Sequence, residues 1–445
     1  MNDFMTNKIT HQRVLTIAVP ILISNSTIPI LGAVDTAVIG QLGDPSALGA
    51  VGIGAIIITA IYWIFGFLRM GTVGLTSQAF GAKDNAEVDA MLGRCLIIGF
   101  VAGLIIILVH SIIFKFALYM SPASPEVEGF ASSYMGIRIY SAPAAISLFG
   151  ITGWLIALER TKSILIIQLL MNSLNVFLDI LFVSYFEWEI EGVAYASLIA
   201  EWSGLIAGLY FCRDRLIAKG FFYLPRVFNK IRLANMISIN SDILFRSLLL
   251  EIAIISFLFI GSDFGDVALA SNHILIQFLH IVSYALDGFA HAAETLVGQS
   301  VGARNRKSFR RAAILTTAWA GAMAIVFVLI FWCFGGSLID IMTVSPDVRA
   351  ETRVYLHFLA ILPLIGLFAY MLDGIFIGAT RTRDMRNMMF ISFVGYLIVL
   401  VLFVPSLGNN GLWLGLIVLY ILRAVTLAFK YPALEASIYF LLSCN

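Results

Sequence analysis

"QAFGAK", residues 78–83, returns as "QSVGAR" at residues 299–304, an offset of 221. The same offset carries Pro125 to Pro346, Tyr134 to Tyr355, and the "RTK" that starts at Arg160 to the "RTR" that starts at Arg381. One offset kept across several loops is not a chance match. The chain therefore reads as a duplication, with halves at 1–220 and 221–445 and a basic linker at about 212–235 between them.

Each half is built for a bilayer. Of 445 residues, 60% are hydrophobic and 12% are charged, and the mean hydropathy is +0.94. No water-soluble core needs that excess, whereas apolar runs of about 20 residues are what a hydrocarbon layer requires. Window length places twelve runs, at 14–39, 47–68, 95–119, 130–158, 163–185, 192–211, 236–261, 267–292, 312–341, 351–379, 388–404 and 411–430. Six spans per half is an even number, so both halves enter the membrane in one orientation and are related about the membrane normal. The expected fold is an all-α polytopic membrane protein: twelve transmembrane helices in two six-helix lobes that enclose a central site and rock against each other.

The loops give the orientation. "ERTK", "RDRLIAKGFFYLPRVFNKIR", "GARNRKSFRR", "TRTRDMR" and "RCLI", with Lys83 before it, supply the loop Lys and Arg residues. Between them, "LGDPSALG", "FEWEIEG", "SDFGD" and "PSLGNN" hold no Lys or Arg. By the positive-inside rule the basic set is cytoplasmic, as are both termini, with Arg349 and Arg353 as a small departure on an outer loop. The first apolar run is too long for a signal peptide and lacks a small-residue cleavage site, so it reads as a span. Cys95, Cys212, Cys333 and Cys444 have no metal-site spacing and read as reduced thiols. A net charge of +1, with basic residues scattered over separate loops, excludes a nucleic-acid partner.

Inside this apolar frame, "NVFLDILFV" at 175–183 carries an aspartate. A charge at depth costs at least about 2.5–3.5 kcal/mol on insertion scales, so Asp179 is expected to face a cavity or a partner. Gln168, Asn172, Asn175 and Asp179 follow 4, 3, 4 spacing and form one polar stripe along span five. Counted from the outer ends of their spans at about 1.5 Å per residue, Asp35, Asp179 and Ser197 lie roughly 7–9 Å deep and Arg138 roughly 12 Å deep. Four polar groups on four helices of one half share a level, where they can meet. Two carboxylates in low dielectric disfavour double ionisation, and Arg138 pulls the other way. The oxygen set of Asp35, Asn175, Asp179 and Ser197 suits one proton or one Na⁺. Glu201, four residues after Ser197, belongs either to this cluster or to a helix contact.

The second half carries different chemistry. His273, Gln277, His280, Tyr284, Asp287, His291 and Glu294 alternate 4 and 3 spacings along span eight, whereas 221 residues earlier the positions read Gly52, Ile56, Thr59, Trp63, Gly66, Met70 and Val73. The stripe is expected to form the wet wall of a cavity. Glu251 and Asp373 add acids on spans seven and ten, and Asp242 with Arg246 reads as a local i,i+4 pair. Span one contains Pro20 and Pro29 around "SNST" at 24–27. Each proline removes a backbone donor, so this helix is expected to hinge there, with Ser and Thr hydroxyls serving the freed carbonyls.

At these residues the chain resembles the multidrug and toxic compound extrusion (MATE) family of transporters, in particular its DinF-type branch. The resemblance rests on "VPILISNSTIPILGAVDTAVIGQLG", "LRMGTVGLTSQAFGAKD", "IRIYSAPA", "NSLNVFLDILFV", "GVAYASLIAEW" and "ALDGFAHAAETLVGQSVGAR", and covers essentially the whole chain. It implies two lobes opening alternately to each side and export of amphipathic, often cationic compounds driven by H⁺ or Na⁺. It also implies a cation site at the positions of Asp35, Asn175, Asp179 and Ser197, although threonine is the commoner match at 197. Other branches use acids that match Glu251 and Asp373.

The expected function is thus a cation-coupled efflux antiporter, H⁺ favoured over Na⁺, in a bacterial inner membrane. It needs no cofactor beyond its coupling ion and is expected to act as a monomer on small organic cations and amphipathic drugs. A lipid-linked oligosaccharide flippase would be expected to have a basic cavity for pyrophosphate, and here the buried ionisable groups lean acidic. An intramembrane enzyme lacks its motifs, since His291 and Glu294 make only H-x-x-E. A channel is disfavoured by the duplicated lobes. Cation coupling is placed on Asp35, Asn175, Asp179, Ser197 and Arg138. The cavity lining is placed on Asn172, Gln168, Gln277, His280, Tyr284, Asp287, Glu251 and Asp373.

Overall fold

A computed structural model describes residues 8–40, 45–119, 124–217 and 223–440, apart from the side chains of 28–33, 35–37, 39, 40, 45, 439 and 440. The chain is helical throughout, and no strand occurs among the described residues. The first half contains α1 (His11–Gly40), α2 (Pro45–Trp63), α3 (Gly66–Gly81), α4 (Asn85–Tyr119), α5 (Pro125–Arg138), α6 (Ala142–Ala157), α7 (Thr161–Asp179) and α8 (Glu189–Leu216). After the short α9 (Leu224–Val227) come α10 (Lys230–Ser262), α11 (Asp266–Gly302), α12 (Arg306–Met342), α13 (Pro346–Gly378), α14 (Thr382–Leu407) and α15 (Asn409–Phe440).

Eleven segments among the described residues are long and apolar enough to cross a bilayer. Segment Ser46–Gly81 counts once, because α2 and α3 run on through a two-residue break. With 30 residues, or about 45 Å, α1 makes twelve by length. Lipid-facing stripes are visible on single helices: α4 leaves Leu104, Leu108, Ile112 and Phe116 exposed at four-residue spacing.

The duplication is kept in the helix starts and in the backbone angles. Helices beginning at 45, 85, 125 and 161 recur at 266, 306, 346 and 382, each 221 residues on. Left-handed residues recur likewise: Lys83 (φ 60°) with Arg304 (52°), Glu159 (59°) with Thr380 (53°), and Glu187 (57°) with Gly408 (56°). At three helix ends the reason is a closing turn, in which the N–H groups of Arg160, Asn305 and Arg381 reach the carbonyls of Leu155, Ser300 and Phe376 at 2.9 Å. The repeated glycine has its own cause. A Cβ on Gly81 would lie 2.1 Å from the Gln299 carbonyl oxygen, and one on Gly302 would lie 2.0 Å from that of Gln78. The ends of α3 and α11 cross at a separation that only glycine allows, reciprocally at both repeats.

The chain forms two compact units. The first comprises Ile23–Thr72 and Asp84–Leu233; the second comprises the described part of Met1–Leu22, Val73–Lys83 and the described part of Ala234–Asn445. The chain passes from one unit to the other inside α1, after Leu22, and inside α3, after Thr72. Within the first unit the linker helix α9 is held by Arg94, which donates to the carbonyls of Arg226 (2.6 Å) and Val227 (2.9 Å) and pairs with Glu87 at 2.6 Å.

The first unit differs from the second in continuity. Ile64 and Phe65 interrupt the helix between α2 and α3, a 3₁₀ turn at Ile139–Ser141 separates α5 from α6, and a π-helical turn at Ile180–Tyr185 follows α7. The matching helices α11, α13 and α14 run without a break, although α13 contains Pro363 and α14 Pro405. At the α5–α6 break Pro143 offers no N–H, the Ala142 N–H turns to the Ile139 carbonyl, and the Arg138 carbonyl is left for hydroxyls. Ser141 and Tyr62 both donate to the Arg138 carbonyl, at 2.7 and 2.9 Å.

Candidate functional site

The interruptions frame a polar cluster in the first unit. Asn175 on α7 donates its side-chain N–H to Ser197 Oγ on α8 at 3.1 Å, and both residues are buried. Asp179 lies one turn further along α7, fully buried, at the residue from which the π-helical turn departs. A π turn offsets the following residues from the helical register, a device found mostly at functional positions. Below this level the stripe continues as a relay. Gln168 donates to Asn172 Oδ1 (2.9 Å), Asn172 to Thr27 Oγ1 (2.8 Å), and Thr27 to the Ser24 carbonyl (2.7 Å). Four polar groups thereby bind α7 to the "SNST" stretch of α1, with the Thr27 hydroxyl back-bonding to the carbonyl three residues earlier. Pro20 is buried in α1. The side chains of Asp35 and Pro29 lie outside the described residues.

Arg138, expected beside these acids, pairs with Glu201 of α8 at 2.9 Å. Its Nη1 also donates to Ser141 Oγ at 3.3 Å, and Tyr62 closes the group with a 3.0 Å contact to the same hydroxyl. Glu201 is one turn from Ser197 on α8, so the ion pair and the Asn175–Ser197 bond share one helix face. Sequence reading left Glu201 undecided; the structure gives it the arginine.

The second unit presents another kind of site. Asp373 on α13 is buried between two guanidinium groups, Arg246 of α10 and Arg423 of α15, the latter at 2.6 Å. The local pairing expected between Asp242 and Arg246 is corrected here. Asp242 instead accepts from Arg386 at 2.6 Å and from Thr382 at 3.1 Å. Arg246 is drawn inward because Asp373 is the buried carboxylate that needs a countercharge. Two arginines on one aspartate leave an excess positive charge, and the rings of Tyr420 and Tyr370 lie 5.2 and 5.9 Å from the Arg423 guanidinium to take up part of it. Arg423 was missed by sequence reading, although a lone arginine in the apolar run "YILRAVTL" was signal enough.

Along α11 the expected stripe divides. His273, Gln277 and His280 are exposed, Tyr284 and Asp287 half-buried, and His291 and Glu294 buried. The last two pair at 2.9 Å. Glu251 is half-buried and makes no hydrogen bond or ion pair among the described residues. Asp373 differs from the rest of the expected cavity lining, since its carboxylate is committed to the arginine pair.

Known proteins resemble this chain along its whole length. The MatE family model matches twice, at residues 20–181 and 243–404, copies set 223 residues apart. The DNA damage-inducible protein F of Escherichia coli is 35% identical over 413 residues, covering 93% of this chain and 90% of that protein. The probable multidrug resistance protein YpnP of Bacillus subtilis is 25% identical over 429 residues, covering 93% of each. Among solved structures, the MATE transporter VcmN of Vibrio cholerae in its bent form superposes with a TM-score of 0.88 at 20% identity, over 97% of this chain and 98% of that one.

The arginine clamp has a direct consequence for stability. Removing one partner of a buried ion pair leaves an uncompensated charge and costs about 3–5 kcal/mol. Asp373→Asn is therefore expected to lower the melting temperature of the purified protein in detergent by several degrees, because two buried guanidiniums lose their counter-ion. Unchanged melting would show that Asp373 tolerates neutralisation and is not clamped in solution.

Proposed function

The chain belongs to the MatE family of multidrug efflux transporters, and on that premise we propose that it exports amphipathic organic compounds, cations among them, in exchange for protons. The observation that carries this reading is the contrast between its two buried aspartates. A coupling carboxyl must gain and lose its charge in every cycle. Asp373 meets that requirement poorly, since neutralising it strands two buried guanidiniums. Asp179 stands one helical turn from Asn175, whose amide bonds the Ser197 hydroxyl, and amides and hydroxyls can bond to either the charged or the neutral form of a carboxyl. Arg138 is engaged by Glu201 one turn away, which moderates its pull on the carboxyls.

The same geometry favours H⁺ over Na⁺. A proton needs a single carboxyl, whereas a sodium ion would need several oxygen ligands converging on one point. With the basic loops read as cytoplasmic, the cluster stands toward the outer face of a bacterial inner membrane. The exposed polar stripe of His273, Gln277 and His280 then lines the aqueous path, because such groups do not face lipid.

The moving parts are the two repeats, 1–220 and 221–445, and the coupling element is α1. The chain leaves one compact unit for the other after Leu22, between Pro20 and the Thr27–Asn172 tie. Neutralising a carboxyl at the level of Asp35 and Asp179 changes which hydrogen bonds α1 and α7 can share. Only such a differential interaction can shift the balance between two bends of α1.

Efflux of a fluorescent cation from everted vesicles tests the coupling site. Asp179→Asn and Asp35→Asn are each expected to nearly abolish uphill efflux while the protein still inserts. Full efflux by either variant removes that residue from the mechanism, and uphill efflux driven by a Na⁺ gradient at clamped pH overturns proton coupling. The hinge has its own test. Pro20→Ala, which restores a backbone donor to α1, is expected to lower the efflux rate several-fold with binding of the same cation unchanged. Equal losses in both would assign Pro20 to packing alone.

A further inference from the structure

Beyond the polar cluster, the turn from α7 to α8 borders an open pocket of about 900 Å³ within the first unit, lined largely by exposed residues. Four aromatic rings wall it: Phe130 of α5, Phe182 of the π turn, Trp188, and Tyr195 of α8. Phe182 and Trp188 stack at 4.9 Å, and Trp188 meets Tyr195 edge-on at 6.0 Å, so the walls are braced by their own contacts. Three carboxylates, of Glu187, Glu189 and Glu191, line the same space. None of the three forms an ion pair among the described residues, and no Lys or Arg lines the pocket.

Ordinary folding explains only part of this. Glu189 and Glu191 occupy the first turn of α8, where the helix dipole favours acids. Glu187 precedes the helix and has no such reason. It takes a left-handed backbone, φ 57°, at the position where the other repeat has Gly408 with φ 56°. Glycine adopts that conformation without strain and glutamate does not, so the first repeat keeps a carboxylate against the preference of the backbone. The partner loop, "PSLGNN", has neither acids nor aromatic rings. The feature belongs to this site, not to the duplicated scaffold.

We propose that this pocket is a binding site for an organic cation bearing aromatic or aliphatic bulk, a second station for cargo apart from the Asn175–Ser197–Asp179 cluster. A volume of this size suits a drug-sized molecule. Aromatic faces attract a desolvated cation through their quadrupoles, and unpaired carboxylates raise the local cation concentration at the mouth. Anionic and neutral compounds of equal size gain from the walls but not from the charges. The proposal deepens the efflux reading, and its test needs no gradient, so either can fail alone.

The experiment is calorimetric titration of the full chain in detergent at pH 7 and low salt with tetraphenylphosphonium, set against neutral triphenylphosphine oxide. The cation is expected to bind at least about tenfold more tightly than the neutral compound. Replacing Glu187, Glu189 and Glu191 together by glutamine is expected to weaken cation binding by about tenfold, and Trp188→Ala by a similar factor. Trp188→Phe, which keeps an aromatic face, is expected to stay within about threefold of wild type. Asp179→Asn is expected to retain binding at this pocket, losing only the proton release that accompanies cation binding at the polar cluster. Wild-type affinity in the triple variant overturns the proposal, as does equal affinity for the two probes. If the triple variant does not fold, the Trp188 pair decides: equal binding by the alanine and phenylalanine forms overturns the site.

Discussion

A charge held inside a bilayer-spanning bundle must find its countercharge within that bundle, because water is not there to supply one. Everything distinctive in this protein follows from how two aspartates meet that constraint. Asp373 is held between Arg246 and Arg423, contributed by helices at either end of the second repeat. Such a triad is strong only while complete, since removing one charge exposes the desolvation cost of the others. Asp179 is surrounded differently, next to the Asn175–Ser197 hydrogen bond and the start of a π turn. Arg138, on the neighbouring helix, is paired with Glu201. Asp373 is held between two guanidiniums, whereas Asp179 stands one helical turn from the Asn175–Ser197 hydrogen bond, and the proposal of proton coupling rests on that contrast.

The duplicated scaffold makes this asymmetry informative. Helix starts and left-handed residues repeat every 221 residues, so differences between the halves are not accidents of folding. The first half breaks its helices at 64–65, 139–141 and 180–185, where the second runs continuous ones. Each break loosens backbone pairing, and in an apolar surrounding the freed groups need hydroxyl or amide partners. At the second break Tyr62 and Ser141 fill that need. Polar side chains of the first half thus serve the broken backbone, and the Asn175–Ser197 pair lies one turn before the buried carboxyl on α7.

Much of this was legible in the sequence, for definite reasons. Repeats and spans are written in residue order, and a stripe such as Gln168, Asn172, Asn175 and Asp179 is visible because helical periodicity is local. The meeting of Asn175 with Ser197 could be anticipated from depth alone. What failed was the choice of partner across sequence distance. Arg246 was assigned to Asp242, four residues away, because spacing rules see only one helix; its partner is 127 residues away. Depth places Arg138 at the level of the aspartates but does not give azimuth, and the partner seen for its guanidinium is Glu201. The π turn left no compositional trace, since "ILFVSY" reads as ordinary span. Pro143 did mark the break after Arg138.

The central claim, that the carboxyl of Asp179 carries the exchangeable proton, is tested most directly by proton release. Tetraphenylphosphonium is added to the detergent-solubilised protein in weak buffer with a pH indicator, and the protons displaced per protein are counted. Because proton and cargo compete for one cycle, binding of either must reduce binding of the other. The account predicts release of about one proton by wild type and essentially none by Asp179→Asn. Undiminished release by Asp179→Asn would place the exchangeable proton elsewhere and contradict the account.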